Sequence, residues 1–141
     1  MYLDSAYIAK YYVSELDSAA VHSLVAGGHL VVCSAVCVAE VTCVFHRHAR
    51  EGRISMSQAR ALTDSFLEHV DSGSWTVIPV TESLLRGVAL FVRAAPPNLF
   101  LRAADALHLT TAQEQGETEI WTNDRHLLAA APHFGIAGRS V

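Results

Sequence analysis

The run Leu30-Val31-Val32-Cys33-Ser34-Ala35-Val36-Cys37-Val38-Ala39-Glu40-Val41-Thr42-Cys43-Val44-Phe45 decides the fold. Ser34, Glu40 and Thr42 interrupt it, and it falls short of the roughly 18 uninterrupted apolar residues that mark a membrane span. It reads as a buried strand, Leu30 to Cys33, running into a buried helix. Working outward, Met1 to Leu3 reads as a strand before it, Trp75 to Val80 and Ile120 to Thr122 as strands after it, and Gly135 to Val141 as a short edge strand. Short apolar runs that alternate with segments of helical period imply crossover connections. The expected architecture is α/β, a mainly parallel central sheet with helices on both faces, in a single domain over residues 1–141.

The helices carry their own signals. Ser57 is placed to cap a helix whose Ala59, Leu62, Phe66 and Val70 share one face, with Gly73 just past its end. Thr81 is placed to cap the next, with Leu84, Leu85, Val88, Phe91 and Val92 facing inward, and Pro96-Pro97 stops it. A further helix is expected from about Leu101 to Gln115, with Gly116 as its stop.

Composition narrows the class. The chain is 51% apolar and 17% charged, against typical values of about 45–50% and about 25%. Such a chain is globular, and it has more apolar surface than a small interior readily hides, which points to a covering partner. The N-terminus has no basic region and no small-residue cleavage pattern, so the expected location is the cytoplasm, with no membrane association. Cys33, Cys37 and Cys43, an odd number without a CxxC pair, read as small buried hydrophobes. The net charge of −4 makes no general trap for nucleic acid, so such binding needs a local basic patch and metal ions. His46, Arg47, His48, Arg50 and Arg53 form the only dense patch, and it reads equally as a solvated helix end.

Four acids carry the chemistry. Asp4 and Asp124 fall just beyond the carboxyl ends of strands, where an open parallel sheet presents ligand groups, although either also suits a helix N-cap. Glu40 and Asp105 interrupt helices that otherwise read as buried, where an ionised carboxylate is costly unless paired or metal-bound. Lys10 is the single lysine, and Arg102 is the only arginine near Asp105. If the four converge, their mutual repulsion demands raised pKa values or a divalent ion. All-oxygen ligands select hard cations such as Mg²⁺ or Mn²⁺.

These residues resemble the PIN domains, and in particular the VapC-like toxins of prokaryotic toxin-antitoxin systems. Tyr2-Leu3-Asp4-Ser5 is similar to the family's first motif and Ser34 to Val41 to its second. Leu101-Arg102-Ala103-Ala104-Asp105-Ala106-Leu107-His108-Leu109 resembles the third, and Trp121-Thr122-Asn123-Asp124-Arg125-His126-Leu127 followed by Phe134-Gly135-Ile136 the last. The resemblance implies a PIN-like three-layer sandwich and a Mg²⁺- or Mn²⁺-dependent endoribonuclease that hydrolyses RNA. It also implies a homodimer silenced by a cognate antitoxin. Carried onto this chain, it makes Asp4, Glu40, Asp105 and Asp124 the catalytic metal ligands and Ser5 and Thr122 supporting hydroxyls. Asn123 is the substitute if Asp124 points outward. Arg102 is expected one turn before Asp105 on the same helix, touching phosphate or a carboxylate.

Other readings fit less well. No HExxH occurs, and His46 and His48 at i, i+2 do not share a helix face, which argues against zinc. Phosphotransfer by Asp4 lacks the second aspartate, since Ala6 stands there, and lacks a late lysine. A PIN-like module that binds RNA or protein without cleaving is the remaining alternative, and loss of an acid would favour it.

Overall fold

The computed structural model describes residues 1–141. Its five strands are β1 (Tyr2–Leu3), β2 (Val32–Ser34), β3 (Thr76–Ile78), β4 (Glu119–Trp121) and β5 (Ala137–Arg139). They form one sheet of order β3-β2-β1-β4-β5, parallel at every pairing. Tyr2 aligns with Val32 on one side and Ile120 on the other. The chain moves outward from β1 through β2 to β3, then returns to the far side of β1 for β4. The switch point therefore lies between β1 and β4.

Seven helices fill the crossovers: α1 (Ser5–Tyr12), α2 (Ser18–Ala26), α3 (Val36–Arg50), α4 (Met56–Asp71), α5 (Glu82–Ala94), α6 (Ala103–Glu114) and α7 (Arg125–Ala130). A 3₁₀ turn, Ala131–Phe134, follows α7. Successive strand residues point to opposite faces, and two cores result. Leu3 and Cys33 pack with Tyr7, Ile8, Val21, Val41, Phe45 and Phe66 from α1 to α4. Tyr2, Val32 and Ile120 pack with Leu109, Ala112 and Leu127 from α6 and α7. The α/β three-layer architecture read from the sequence is the one observed, and all five expected strands are present.

Local departures have local causes. The α4 cap is Ser55 rather than Ser57, because Gln58 three residues on completes a reciprocal capping box with it. Thr81 does cap α5 through the Leu84 N–H. Of the five α5 residues expected to face inward, Leu84 is buried and Val88 and Phe91 partly so, but Leu85 and Val92 are about half exposed. Gly87 explains the offset. A Cβ there would lie 3.4 Å from Thr110 Cγ2 and 3.3 Å from a Glu114 oxygen, so α5 meets α6 closely at Gly87, while Phe91 stacks on Phe134 and Leu85 and Val92 turn to solvent. No helix is long and apolar enough to cross a membrane.

Candidate active site

Asp4 follows β1 and Asp124 closely follows β4, so the two straddle the switch point, where open parallel sheets form ligand crevices. Each does two jobs at once. Asp4 caps α1 by accepting the Tyr7 N–H at 2.8 Å through Oδ1, while Oδ2 accepts the Thr122 hydroxyl. Asp124 caps α7 by accepting the His126 and Leu127 N–H groups through Oδ1, leaving Oδ2 for Arg102. The alternatives of cap and pocket residue are thus not exclusive, because a carboxylate has two oxygens.

Glu40 from α3 and Asp105 from α6 complete the set from opposite faces of the sheet. All four acids line one cavity of about 420 Å³, together with Ser5, Val44, Arg47, Arg102 and His108. Thr122 lies fully buried behind Asp4 and also accepts the Asp124 N–H at 2.9 Å, so one hydroxyl ties the two strand-end acids together. Asn123 is not in the cavity. Its Oδ1 accepts from the Tyr7 hydroxyl at 2.8 Å and its amide donates to Asp17 at 2.9 Å. It anchors the rim, and Asp124 is the acid that points inward.

Two cationic partners change the electrostatics inferred from sequence alone. Arg102 lies just outside α6 as its N-cap, not one turn inside it. Its Nε donates to Asp105 Oδ2 at 2.8 Å and its Nη2 to Asp105 Oδ1 at 3.1 Å, and the same Nη2 reaches Asp124. Burial works against the Asp124 charge, but Arg102 and the two capping N–H groups outweigh it and lower the pKa. The same pairings hold Arg102 in its charged form.

The second partner is His108, which the sequence reading did not single out. Its Nε2 lies 3.0 Å from Glu40 Oε2, and its Nδ1 lies 2.9 Å from the Tyr2 hydroxyl, which accepts the Ser34 N–H at 3.0 Å. A carboxylate only accepts, so Nε2 carries the hydrogen shared with Glu40. Ser5 donates to the same Glu40 oxygen. Desolvation opposes the charge of Glu40, yet the bonds from His108 and Ser5 bring its pKa below the usual value. Burial alone would lower the His108 pKa, but the Glu40 bond and nearby Cys37 and Asp4 raise it. Asp4 has no cation on it, and desolvation pushes its pKa up against the bonds from Thr122 and Tyr7.

The donor set is uniformly hard oxygen and fits Mg²⁺ or Mn²⁺ in kind. As the side chains stand, no three of them converge closely enough to hold an ion. Arg102 draws Asp105 and Asp124 to itself, His108 holds Glu40, and Thr122 holds Asp4. Asp105 and Asp124 are thus engaged by Arg102 rather than turned toward each other.

Compared by sequence with curated proteins, the chain has no match. Among solved structures it is similar to a chain of FitAB bound to the IR36 DNA fragment, with a TM-score of 0.75 and 17% identity, covering 99% of this chain and 93% of that one. It is also similar to a chain of VapBC2 from Rickettsia felis bound to a DNA fragment from their promoter, with a TM-score of 0.67 and 12% identity, covering 99% and 96%. At these identities the likeness establishes the fold. The PIN domain family model matches residues 1–132, and the chain belongs to the PIN-domain family.

Proposed function

We propose that the single domain over residues 1–141 is a Mg²⁺- or Mn²⁺-dependent endoribonuclease and the toxin of a toxin-antitoxin pair, acting in the cytoplasm. The observation that carries this reading is the meeting of Asp4, Glu40, Asp105 and Asp124, from four separate elements, on one cavity at the switch point. A hard divalent ion held there supplies a Lewis-acid centre that activates water and offsets charge on a phosphodiester. Asp4, Glu40, Asp105 and Asp124 would hold it. Ser5 and Thr122 orient Glu40 and Asp4, and His108 holds Glu40 in its ionised form. No serine, cysteine or histidine nucleophile is required.

The partners follow from surface and charge. Leu85, Leu90 and Val92 leave apolar area on α5 exposed, supporting a homodimer or an antitoxin cover. Arg102 already neutralises Asp105 and Asp124 from within the chain and His108 partners Glu40, so an antitoxin side chain of Arg102's chemistry suits Asp4, the acid left without a cation. Both similar solved structures are described as protein complexes on DNA, VapBC2 on a fragment from their own promoter. The test is cleavage of single-stranded RNA by the free chain and by the chain co-expressed with its neighbouring gene product, across a Mg²⁺ titration. Metal-dependent cleavage that the neighbour suppresses is expected. A chain that binds RNA but never cuts it is instead the non-cleaving PIN module, and a neighbour that neither binds nor inhibits removes the toxin assignment.

A further inference from the structure

One member of the basic run 46–53 is not on the surface. His48, in the last turn of α3, is 3% exposed, and its Nε2 makes no hydrogen bond. Glu15 Oε1 lies 3.1 Å from that nitrogen but off the line that a ring N–H needs. The other bonds of Glu15 run through its backbone, to Ser18, so its carboxylate makes none. Two polar groups that each need a partner therefore stand side by side without serving one another.

Both line a cavity of about 530 Å³ with Val13, Leu16, Arg53 and Ile54, a size within the roughly 300–1,000 Å³ of ligand sites. The α1–α2 and α3–α4 connectors build it around His48. It lies about 12 Å along α3 from Glu40, and it shares no residue with the acidic cavity. Charge decides what it accepts. Arg53 is paired with Glu51 and its side chain is 61% exposed, whereas Glu15 is 29% exposed and has no cation but the misaligned His48. An anion would meet the Glu15 carboxylate. A cationic donor meets that carboxylate and, with the imidazole hydrogen on Nδ1, also His48 Nε2 as an acceptor. Acceptors only 3.1 Å apart suit the parallel N–H groups of a guanidinium, whereas the hydrogens of an ammonium diverge. Val13 and Ile54 give apolar wall to an arginine stem. Leu16, 98% exposed, leaves apolar area at the rim for the residues beside such an arginine to cover.

We propose that this second cavity binds the arginine side chain of a partner polypeptide, with the guanidinium held by Glu15 and His48 and the neighbouring residues of the partner laid over Leu16. The site is separate from the four acids, so it stands or falls independently of the nuclease reading.

The test is solution NMR of the full chain, read at the His48 Cε1–H signal, which reports this cavity and not the acidic one. Three probes are titrated: acetyl-Leu-Arg-Leu-amide, the same peptide with citrulline, which keeps the shape of arginine without its charge, and agmatine, a free alkylguanidinium. Saturable movement of the His48 signal by the arginine peptide is expected, and little by the citrulline peptide. Glu15→Gln should weaken the arginine peptide by at least about tenfold, as loss of a charged hydrogen-bond partner does. Its circular-dichroism melt should match the parent's, because the carboxylate has no hydrogen bond within the chain to lose. Leu16→Ser should weaken the peptide several-fold and leave agmatine unchanged. No saturable movement, equal movement by the citrulline peptide, or unchanged affinity in Glu15→Gln overturns the site. Agmatine that binds as tightly as the peptide, with Leu16→Ser indifferent to both, overturns the polypeptide partner in favour of a small free cation.

Discussion

Arg102 and Asp124 each cap a different helix and are joined by a guanidinium-carboxylate contact across the mouth of the acidic cavity. Arg102 thus competes with any cation for two of the four acids. The Arg102 side chain is 52% exposed, so solvent screening keeps the competition modest, about 1 kcal/mol or less. Arg102→Gln should lower the Mn²⁺ concentration for half-saturation, by up to about fivefold, in calorimetric titration. Weaker Mn²⁺ binding in the variant would mean that Arg102 assists ion capture.

Asp4→Asn and Asp105→Asn should each abolish RNA cleavage while leaving far-ultraviolet circular dichroism unchanged. Loss of outer-sphere partners alone costs about 10–100-fold at metal sites, so loss of a proposed ligand should cost at least about a hundredfold. EDTA should stop cleavage by the unaltered chain, and Mg²⁺ or Mn²⁺ should restore it. Undiminished cleavage in excess chelator would rule out the metal-dependent mechanism.

Burial raises the Asp4 pKa, and the sign of its effect on stability follows. Above the unfolded value, near 3.9, the unfolded chain ionises this carboxyl more readily than the folded one, so Asp4 costs stability at neutral pH. Without metal, Asp4→Asn should therefore melt a few degrees higher than the parent. Divalent ions should stabilise the parent by mass action. A variant that melts lower in EDTA would make the cap, not the clustered charge, the dominant role of Asp4.

The Glu40–His108 pair contributes stability instead, over a bounded range of pH. His108 has a raised pKa in the fold, so its contribution is complete below about 6.5 and is lost as pH climbs through the folded value. Glu40 has a lowered pKa, so its contribution is present above about 4.3 and is lost as pH falls through its folded value. The pair should stabilise most between those limits. Urea denaturation in EDTA from pH 5.5 to 8.5 should show an alkaline decline in the parent that His108→Gln removes. The same decline in both proteins would place the titrating group elsewhere.

Much of this was legible in the chain because the informative residues are local. Apolar runs marked the strands, and an aspartate directly after a strand has few places to point except the crevice at the sheet's end. Asp105 drew attention as an acid in a greasy segment. His108 is less legible, because a sequence suggests pairing histidines with one another as zinc ligands, whereas its partner is Glu40, 68 residues away. One signal was available: Asp105 and His108, at i and i+3, share a helix face. Arg102 reads from sequence as a helical residue, but its extended backbone, with ψ at 162°, puts it at the cap, and its side chain reaches Asp124 as well as Asp105. Leu85 and Val92 lie at the edge of the α5 stripe, and only the close approach at Gly87 decides which edge is covered. Of the basic run 46–53, His48 meets Glu15 in the segment after α1, His46 lies beside Arg60 of α4 and Arg53 pairs with Glu51, a division that no linear patch reveals.

The two oxygens of Asp4, one for the Tyr7 N–H and one facing Thr122 and the cavity, have an evolutionary consequence. Asparagine serves as a helix cap about as well as aspartate. A single G-to-A change in an aspartate codon makes that exchange, so mutation can silence such a site without unfolding its scaffold. Asp124 has the same division of labour. On the proposed function, chains descended from this one can therefore lose cleavage in one step at either strand end while keeping their surfaces and partners. Glu40 offers no such route, because it caps no helix and its codon does not reach asparagine by one base change. Inactive relatives of this chain should accordingly carry asparagine at positions 4 or 124 more often than at 40.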